Sequence, residues 1–401
     1  MALQDSGEIK FSDIATEYGV SLSNVSLATL SENIGLTPEH AISEFYGKSA
    51  DITIGDLTNT ITTDTNGNSL SLSPVDAVYF GGYHFISSTS TSGSYYSDDD
   101  GVTWTPSGSL FDQNAKFNVA GNILIATSRN YLAFYRFGSE PNSYANTTYF
   151  SDLDLYRTKY DTNISASRTP PIVYDGFVYK IQSDGITKYN LTDYSGTNVA
   201  ATYWSHINLP PAAIGNDGRV ITFGINGTQP SFIVSDNFFV NYSIIPLPSV
   251  SDYPYTTSSS STSWFNDSDI ATNGNGTWIF TPRLFHTFTG GEQYSLYAYS
   301  TDNGDSWTAT QDYYDIVGAM DYTPGVTSIV DGNFGNLEVA KFENNKFYYG
   351  YGYGSGYGGI MYSSDGTNIT SLKNIGVDTK VLSFNGSTLI AAGTDKILRF
   401  T

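Results

Sequence analysis

From about residue 51 to the C terminus, apolar and polar residues alternate in short runs that end at Gly, Asn, Asp or Pro. A period of two turns one face of a segment inward, so these runs predict half-buried strands joined by tight turns. A weak unit recurs: an Asn-Gly or Asp-Gly type turn opens a strand, a second strand follows, and a turn rich in Ser and Asp closes it. Instances begin at Gly121-Asn122, Asp175-Gly176, Asn216-Asp217-Gly218, Asn275-Gly276, Asn344-Asn345 and Asn385-Gly386. With the strand run at 78–87 this makes about seven units. The last, Val381 to Phe400, is short, and a strand from near residues 51–58 would complete its sheet.

Residues 1–50 carry a different period. Ser12 caps a turn through Asp13 to Tyr18 that Gly19 stops; Leu27, Leu30 and Ile34 sit at helical spacing before Gly35. Thr37 as cap, Pro38 at the first helical position and Gly47 beyond Tyr46 mark a third helix. Helices this short bury little and need a partner surface. The chain therefore divides into a helical module at 1–50 and an all-β domain at 51–401.

Two of the closing turns share the pattern S-x-D-x-G-x-[ST]-W: Ser97, Asp99, Gly101, Thr103 and Trp104 in one, Ser300, Asp302, Gly304, Ser306 and Trp307 in the other. An Asp side chain can accept from turn N–H groups, Gly takes a backbone angle other residues resist, and Trp offers an apolar plate with one polar tip. The pattern resembles the Asp box of β-propeller proteins, found in sialidases and in many non-enzymatic propellers. The unit spacing drifts around the 40–50 residues of a propeller blade. The resemblance implies a propeller of seven blades, with six blades or a β-sandwich as alternatives, and places Trp104 and Trp307 under equivalent turns of two blades. Degenerate versions stand at Ser183-Asp184-Gly185, Ser235-Asp236-Asn237 and Ser363-Ser364-Asp365-Gly366.

Charge narrows the partners. The chain carries 39 acidic and 18 basic residues, a net charge of −21. Such a field disfavours nucleic acid and anionic membranes. Asp13 to Ser26 superficially resembles a helix-turn-helix, but residues 1–50 hold seven acids and two bases, the wrong balance for a DNA reader. There is no cysteine, which points to assembly in a reducing cytoplasm. The N terminus shows no signal-peptide pattern, and no apolar run reaches the roughly 18–20 residues of a membrane span.

Glu8-Ile9-Lys10-Phe11-Ser12-Asp13-Ile14-Ala15-Thr16-Glu17-Tyr18-Gly19, with Ile42-Ser43-Glu44-Phe45-Tyr46-Gly47 closing the segment, resembles the N-terminal segment of structural proteins of tailed phages, especially marine and cyanobacterial ones. The resemblance covers about 45 residues, and its spacer is longer than the family pattern. It implies a virion protein made in the host cytoplasm. Residues 1–50 would attach it to other virion proteins through Phe11, Ile14, Tyr18, Ile42, Phe45 and Tyr46. The propeller would project as a fibre, tail or decoration module, present in several copies and able to touch a host glycan or protein. The alternatives are a propeller glycoside hydrolase or sialidase-like enzyme and a cellular protein-binding propeller.

Catalytic sets are missing from the sequence. Sialidase chemistry needs three convergent Arg side chains, a Tyr–Glu pair and an Asp acid. The chain has seven Arg and nine Glu, without the Arg-Ile-Pro signature before the first box. Asp152 and Asp154 read as turn residues rather than a hydrolase pair. His40, His84, His206 and His286 lack metal-ligand spacing, and Asp98-Asp99-Asp100-Gly101 lacks the distal Glu of a calcium loop. No cofactor motif is present, so the expectation is a non-enzyme. One stretch stands out: Tyr349, Tyr351, Tyr353 and Tyr357, separated mostly by Gly. It reads either as a hairpin packed on a neighbouring blade or as an exposed aromatic contact surface for a receptor.

Overall fold

The computed structural model describes residues 57–89, 94–108, 110–128, 131–138, 147–161, 169–182, 185–200, 211–226, 229–248, 268–281, 297–310, 336–343, 345–352, 358–367, 370–374 and 377–401. The expected helical module at 1–50, with Phe11, Ile14, Tyr18, Ile42, Phe45 and Tyr46, lies outside these residues.

The strand runs assemble into seven antiparallel sheets. Blade 1 spans 74–106, blade 2 116–161, blade 3 172–200, blade 4 212–246, blade 5 269–310 and blade 6 336–374; blade 7 combines 381–400 with the strand Leu57–Ile61. The first strand of every blade touches the first strand of the next, and Val381–Phe384 of blade 7 touches Pro74–Phe80 of blade 1. The ring is closed, and the molecule is a seven-bladed β-propeller. Leu57–Ile61 pairs antiparallel with Ile397–Phe400, from Leu57 opposite Phe400 to Ile61 opposite Ile397. A strand from the start of the domain thus completes the last sheet, close to where the pattern placed it.

The recurrent Asn-Gly and Asp-Gly turns occupy one architectural position. Each joins the first strand of a blade to the second, from Gly81-Gly82 in blade 1 to Asn385-Gly386 in blade 7. Blade 2 departs from the unit. It has five strands in the spatial order first, second, third, fifth, fourth, because the chain runs to the sheet edge as Thr147–Phe150 before Leu155–Asp161 returns beside Tyr131–Phe137. Among the described residues the only helical turn is Ser151–Leu153, within that excursion.

The core lies between the faces of adjacent sheets. Ile221 and Phe223 of blade 4 pack with Trp278, Phe280 and Trp307 of blade 5; Ile279 and Tyr297 of blade 5 pack with Phe347 and Tyr349 of blade 6. Each fully buried large apolar side chain contributes about 1.5–3 kcal/mol. The stabilising contacts of the domain are therefore mostly contacts from one blade to the next.

Candidate functional site: the turns that seat one blade on the next

The two S-x-D-x-G-x-[ST]-W turns join the third strand to the fourth in blades 1 and 5, and they make the same hydrogen bonds. Ser97 Oγ donates to Asp99 Oδ1 at 2.8 Å while accepting from Gly101 N–H at 2.8 Å. Thr103 donates its N–H at 2.8 Å and its hydroxyl at 2.7 Å to the Asp99 carboxylate. Trp104 Nε1 donates to the Gly101 carbonyl at 3.2 Å. Ser300, Asp302, Gly304, Ser306 and Trp307 repeat the set, the indole again 3.2 Å from the glycine carbonyl. Both indoles are buried. Burial alone would raise the Asp99 and Asp302 carboxyls; the bonds from Thr103 and Ser97, and from Ser306 and Ser300, outweigh it and hold both below the ordinary range.

Each turn then seats on the blade before it. Gly101 has φ +83° and Gly304 φ +85°. A Cβ on Gly101 would lie 2.3 Å from Ile390 Cδ1 of blade 7, and one on Gly304 2.2 Å from Ile221 Cδ1 of blade 4. Glycine is needed both for the backbone angle and for the close approach. The residue before it, Asp100 or Asn303, has φ near +60° in both turns, a conformation that short polar side chains tolerate best.

In blade 1, Asp100 gathers a cluster from blade 7. Arg399 donates from Nη2 to the Asp100 carboxylate at 2.8 Å and from Nε to its carbonyl at 2.7 Å. Thr388 Oγ1 and Asn385 Nδ2 donate to the same carboxylate. His84, from the second strand of blade 1, places Nδ1 2.8 Å from Ser383 Oγ of blade 7 and Nε2 3.5 Å from Asp100 Oδ1. At that length the second contact is electrostatic attraction rather than a formed hydrogen bond, and Nε2 has no hydrogen-bonding partner. A carboxylate opposite Nε2 favours the proton there, which leaves Nδ1 to accept from Ser383. Burial pushes the imidazole down to about 4; Asp100 opposes that fall and Arg399 adds to it. Against burial, the bonds from Thr388 and Arg399 and the neighbouring His84 hold Asp100 below its ordinary value.

A hydroxyl, an imidazole and a carboxylate in this order could in principle pass a proton, as nucleophilic catalysis requires. His84 is 0% exposed and Ser383 1%, so no substrate reaches them in this arrangement. Blade 5 builds the equivalent contact without an imidazole. Trp278 holds the position of His84, each paired across the sheet with the first serine of its turn. Trp278 Nε1 donates to Asn303 Oδ1 at 3.1 Å, and Asn303 Nδ2 donates to Asp217 of blade 4 at 2.7 Å. Tryptophan and asparagine carry no acid–base chemistry, yet they bridge the corresponding seam.

Two degenerate turns do similar work. In blade 4, Ser235, Asn237 and Asn241 make the same loop of bonds, with Phe239 N–H donating to Ser235 Oγ at 2.8 Å. Phe238 and Phe239 adopt positive φ, a strained choice for bulky residues. Phe238 stacks on Tyr179 of blade 3, and Phe239 is buried against that blade's cluster. In blade 6, Ser363, Asp365 and Gly366 form a shorter version. Ser183-Asp184-Gly185 falls elsewhere: 183–184 lie outside the described residues, and Gly185 opens the third strand of blade 3.

Charge also crosses the ring axis, which sequence spacing did not signal. Asp76 of blade 1 accepts from Ala77 N–H and from Phe117 N–H of blade 2, each at 2.8 Å, and Asp269 of blade 5 accepts from Ile270 N–H and from Ala340 N–H of blade 6. Lys341 of blade 6 reaches Asp76 at 3.3 Å although blade 7 stands between their blades. Burial raises the Asp269 carboxyl, with Lys116 and Lys341 opposing and Asp76 reinforcing.

The aromatic stretch divides. Tyr349 and Tyr351 sit on the second strand of blade 6 and are 0% and 8% exposed. Tyr349 packs against blade 5, its hydroxyl 3.1 Å from that of Tyr297. These two rings are core, which corrects their reading as receptor contacts: the alternation that looked like display turns them into the face between blades. Tyr353 and Tyr357 lie outside the described residues. The carboxylates of Asp99 and Asp100 diverge, one into its own turn and the other onto blade 7, so they form no calcium loop. Asp152 lies within the helical turn of blade 2 and Asp154 caps its C-terminal end, Asp154 accepting from the Tyr149 hydroxyl at 2.9 Å. Asp100, Asn303, His84, Ser383 and Arg399 went unrecognised in the sequence. The one signal was a short polar residue before the glycine of both turns.

No family model matches this sequence, and no curated protein matches it. Solved structures do. Virginiamycin B lyase from Staphylococcus aureus is 10% identical, with 86% of this chain and 98% of that one covered and a TM-score of 0.51. The Pan2 WD40 domain from Neurospora crassa is 4% identical over 82% of this chain and 89% of that one, TM-score 0.50. The extracellular domain of BT4673 from B. thetaiotaomicron is 10% identical over 85% of this chain, TM-score 0.49, and the match spans 40% of its length. Identities this low show a shared propeller fold and nothing about activity.

Proposed function

We propose that the chain is a non-enzymatic propeller of the Asp-box type, carried on a tailed-phage particle as an outward-facing fibre, tail or decoration module. The observation that carries this reading is where the reactive groups go. The Ser, Asp and Thr groups of the two turns are used up within the turns, and His84, Asp100 and Arg399 are used up in seating blade 1 on blade 7. The Glu8–Gly47 resemblance adds the particle: residues 1–50 dock onto other virion proteins through Phe11, Ile14, Tyr18, Ile42, Phe45 and Tyr46. The host contact rests on Tyr353 and Tyr357, now that Tyr349 and Tyr351 are buried, and takes effect through many copies.

The test is location followed by truncation. Mass spectrometry of purified particles should find the chain at stoichiometric level. A variant lacking residues 1–48 should fold but fail to incorporate. Absence from particles, or normal incorporation of the truncated chain, would overturn the reading.

A further inference from the structure

The seam between blades 7 and 1 buries an imidazole beside an apolar cluster that includes Ile86, Trp104, Ile390 and Ile397. The chain closes its ring in blade 7, where Leu57–Ile61 pairs with Ile397–Phe400. Arg399 pins three parts together. Its Nη1 donates to Thr58 Oγ1 of the closing strand at 3.1 Å, the Thr58 hydroxyl donates back to the Arg399 carbonyl at 3.1 Å, and Nε and Nη2 hold Asp100 of blade 1. Asn59 Nδ2 adds a 3.4 Å bond to the Val102 carbonyl of the same turn. Beside this pin lies a fully buried imidazole with one orphaned nitrogen.

We propose that this seam is an acid-sensitive clasp: in mildly acidic surroundings a proton taken up at His84 loosens blade 1 from blade 7 and frees the closing strand, while the other seams hold.

The groups facing His84 leave a charged imidazolium poorly served. Asp100, from the turn, is already engaged by Arg399, Thr388 and Asn385. Arg399, from the third strand of blade 7, is a like charge. Ser383, from the first strand of blade 7, holds Nδ1 and would have to turn its hydroxyl to accept instead of donate. Tyr79, from the first strand of blade 1, and Trp104 present rings at 4.8 and 6.5 Å. Burial outweighs the pull of Asp100, so the closed seam keeps the imidazole at about 4 against an ordinary 6.5. The sign follows: between those values the open form binds a proton that the closed form does not. Stability of the seam is therefore full above about pH 6.5 and is lost as pH falls toward 4, by up to about tenfold in the closed-to-open ratio per pH unit. The equivalent position in the seam between blades 4 and 5 holds Trp278 and Asn303, which do not titrate in this range.

Hydrogen exchange of the full chain at pH 7.5 and 5.0, corrected for intrinsic rates, tests the clasp. Residues 57–64, 97–104 and 389–400 should lose protection at least about tenfold at pH 5.0, while 218–224 and 300–307 hold theirs. His84→Gln should remove the difference between the two pH values. Equal response at both seams, or an acid response that survives His84→Gln, overturns the proposal. Should that variant fail to fold, the imidazole resonances of the native protein decide: an imidazole assigned to His84 that stays neutral down to pH 5 in the closed ring supports the clasp, and one that titrates near 6.5 with no loosening removes it.

Discussion

Blades 1 and 5 begin from the same eight-residue pattern and end by gripping their neighbours differently. Within the turns the hydrogen bonds match almost atom for atom. One step outward they part. Blade 5 rests on blade 4 through Trp278, through Asn303 donating to Asp217 and through an Arg219–Asp305 ion pair, beside a cluster with Phe223, Phe232 and Phe280. Blade 1 rests on blade 7 through a carboxylate, a guanidinium and a buried neutral imidazole, beside an apolar cluster that includes Ile86, Trp104, Ile390 and Ile397. The turn is thus a shared local device, and the seam it serves is set by what the neighbouring blade supplies. Both seams combine an apolar cluster with charged groups; they differ in that only the blade 7–1 seam sets an imidazole where the other sets an indole.

That distinction breaks most visibly at the paired positions His84 and Trp278. Trp278→Ala should cost about 3–5 kcal/mol by loss of buried area and the cavity left behind. His84→Ala should cost about 1–3 kcal/mol, set by the Ser383 hydroxyl left without its partner and by the space the ring vacates. Urea midpoints at pH 7.5 compare them, and equal losses would erase the contrast between an indole and an imidazole at this position.

The shared part of the two turns is tested next. Gly101→Ala and Gly304→Ala should each cost about 2–3 kcal/mol, from the positive φ together with overlap on Ile390 or Ile221. Ile390→Val, which removes the overlapping Cδ1, should recover part of the loss in the Gly101→Ala background but none in Gly304→Ala. Additivity in the first pair would show that the close approach does not matter.

Smaller effects sharpen the picture. Asp99→Asn and Asp302→Asn should each cost about 1 kcal/mol near neutrality. Both carboxyls are held below their ordinary range in the folded state. Their contribution is therefore present above about pH 4 and fades as pH falls through the folded value, so the native and variant melting curves should converge in acid. A gap that persists at pH 2 would mean that shape rather than charge matters at these sites. Tyr297→Phe extends the comparison to a third seam, because the Tyr297 hydroxyl meets Tyr349 and the Gly366 carbonyl of blade 6. A loss of about 1 kcal/mol would show that these hydroxyl contacts stabilise the seam; no loss would leave the seam to its apolar packing.

Much of this architecture is legible in the amino-acid order. The turn opening each unit needs Gly or Asn near positive φ, and the boxed turns need Ser, Asp, Gly and Trp at set offsets, so residues within eight positions of one another dictate both. Strand alternation is similarly local, and seven repetitions of such a unit lead to seven sheets. The even spacing hid the excursion of blade 2, where a fourth strand passes to the sheet edge before the fifth returns.

The seams were not legible. His84 and Ser383 lie 299 residues apart, and Asp76 and Lys341 265; no offset along the chain announces such pairs. The same gap explains Tyr349 and Tyr351, whose alternation with Gly is equally compatible with display and with burial until a neighbouring blade is in place. Taken alone, then, the sequence determined the repeating unit and its turns, because those follow from bonds between near neighbours, while the short last unit hinted at a closing strand that pairs about 340 residues away. Only the tertiary structure decided which face of each blade is covered and which ionisable groups are taken out of water there, because those depend on the opposing surface of another blade.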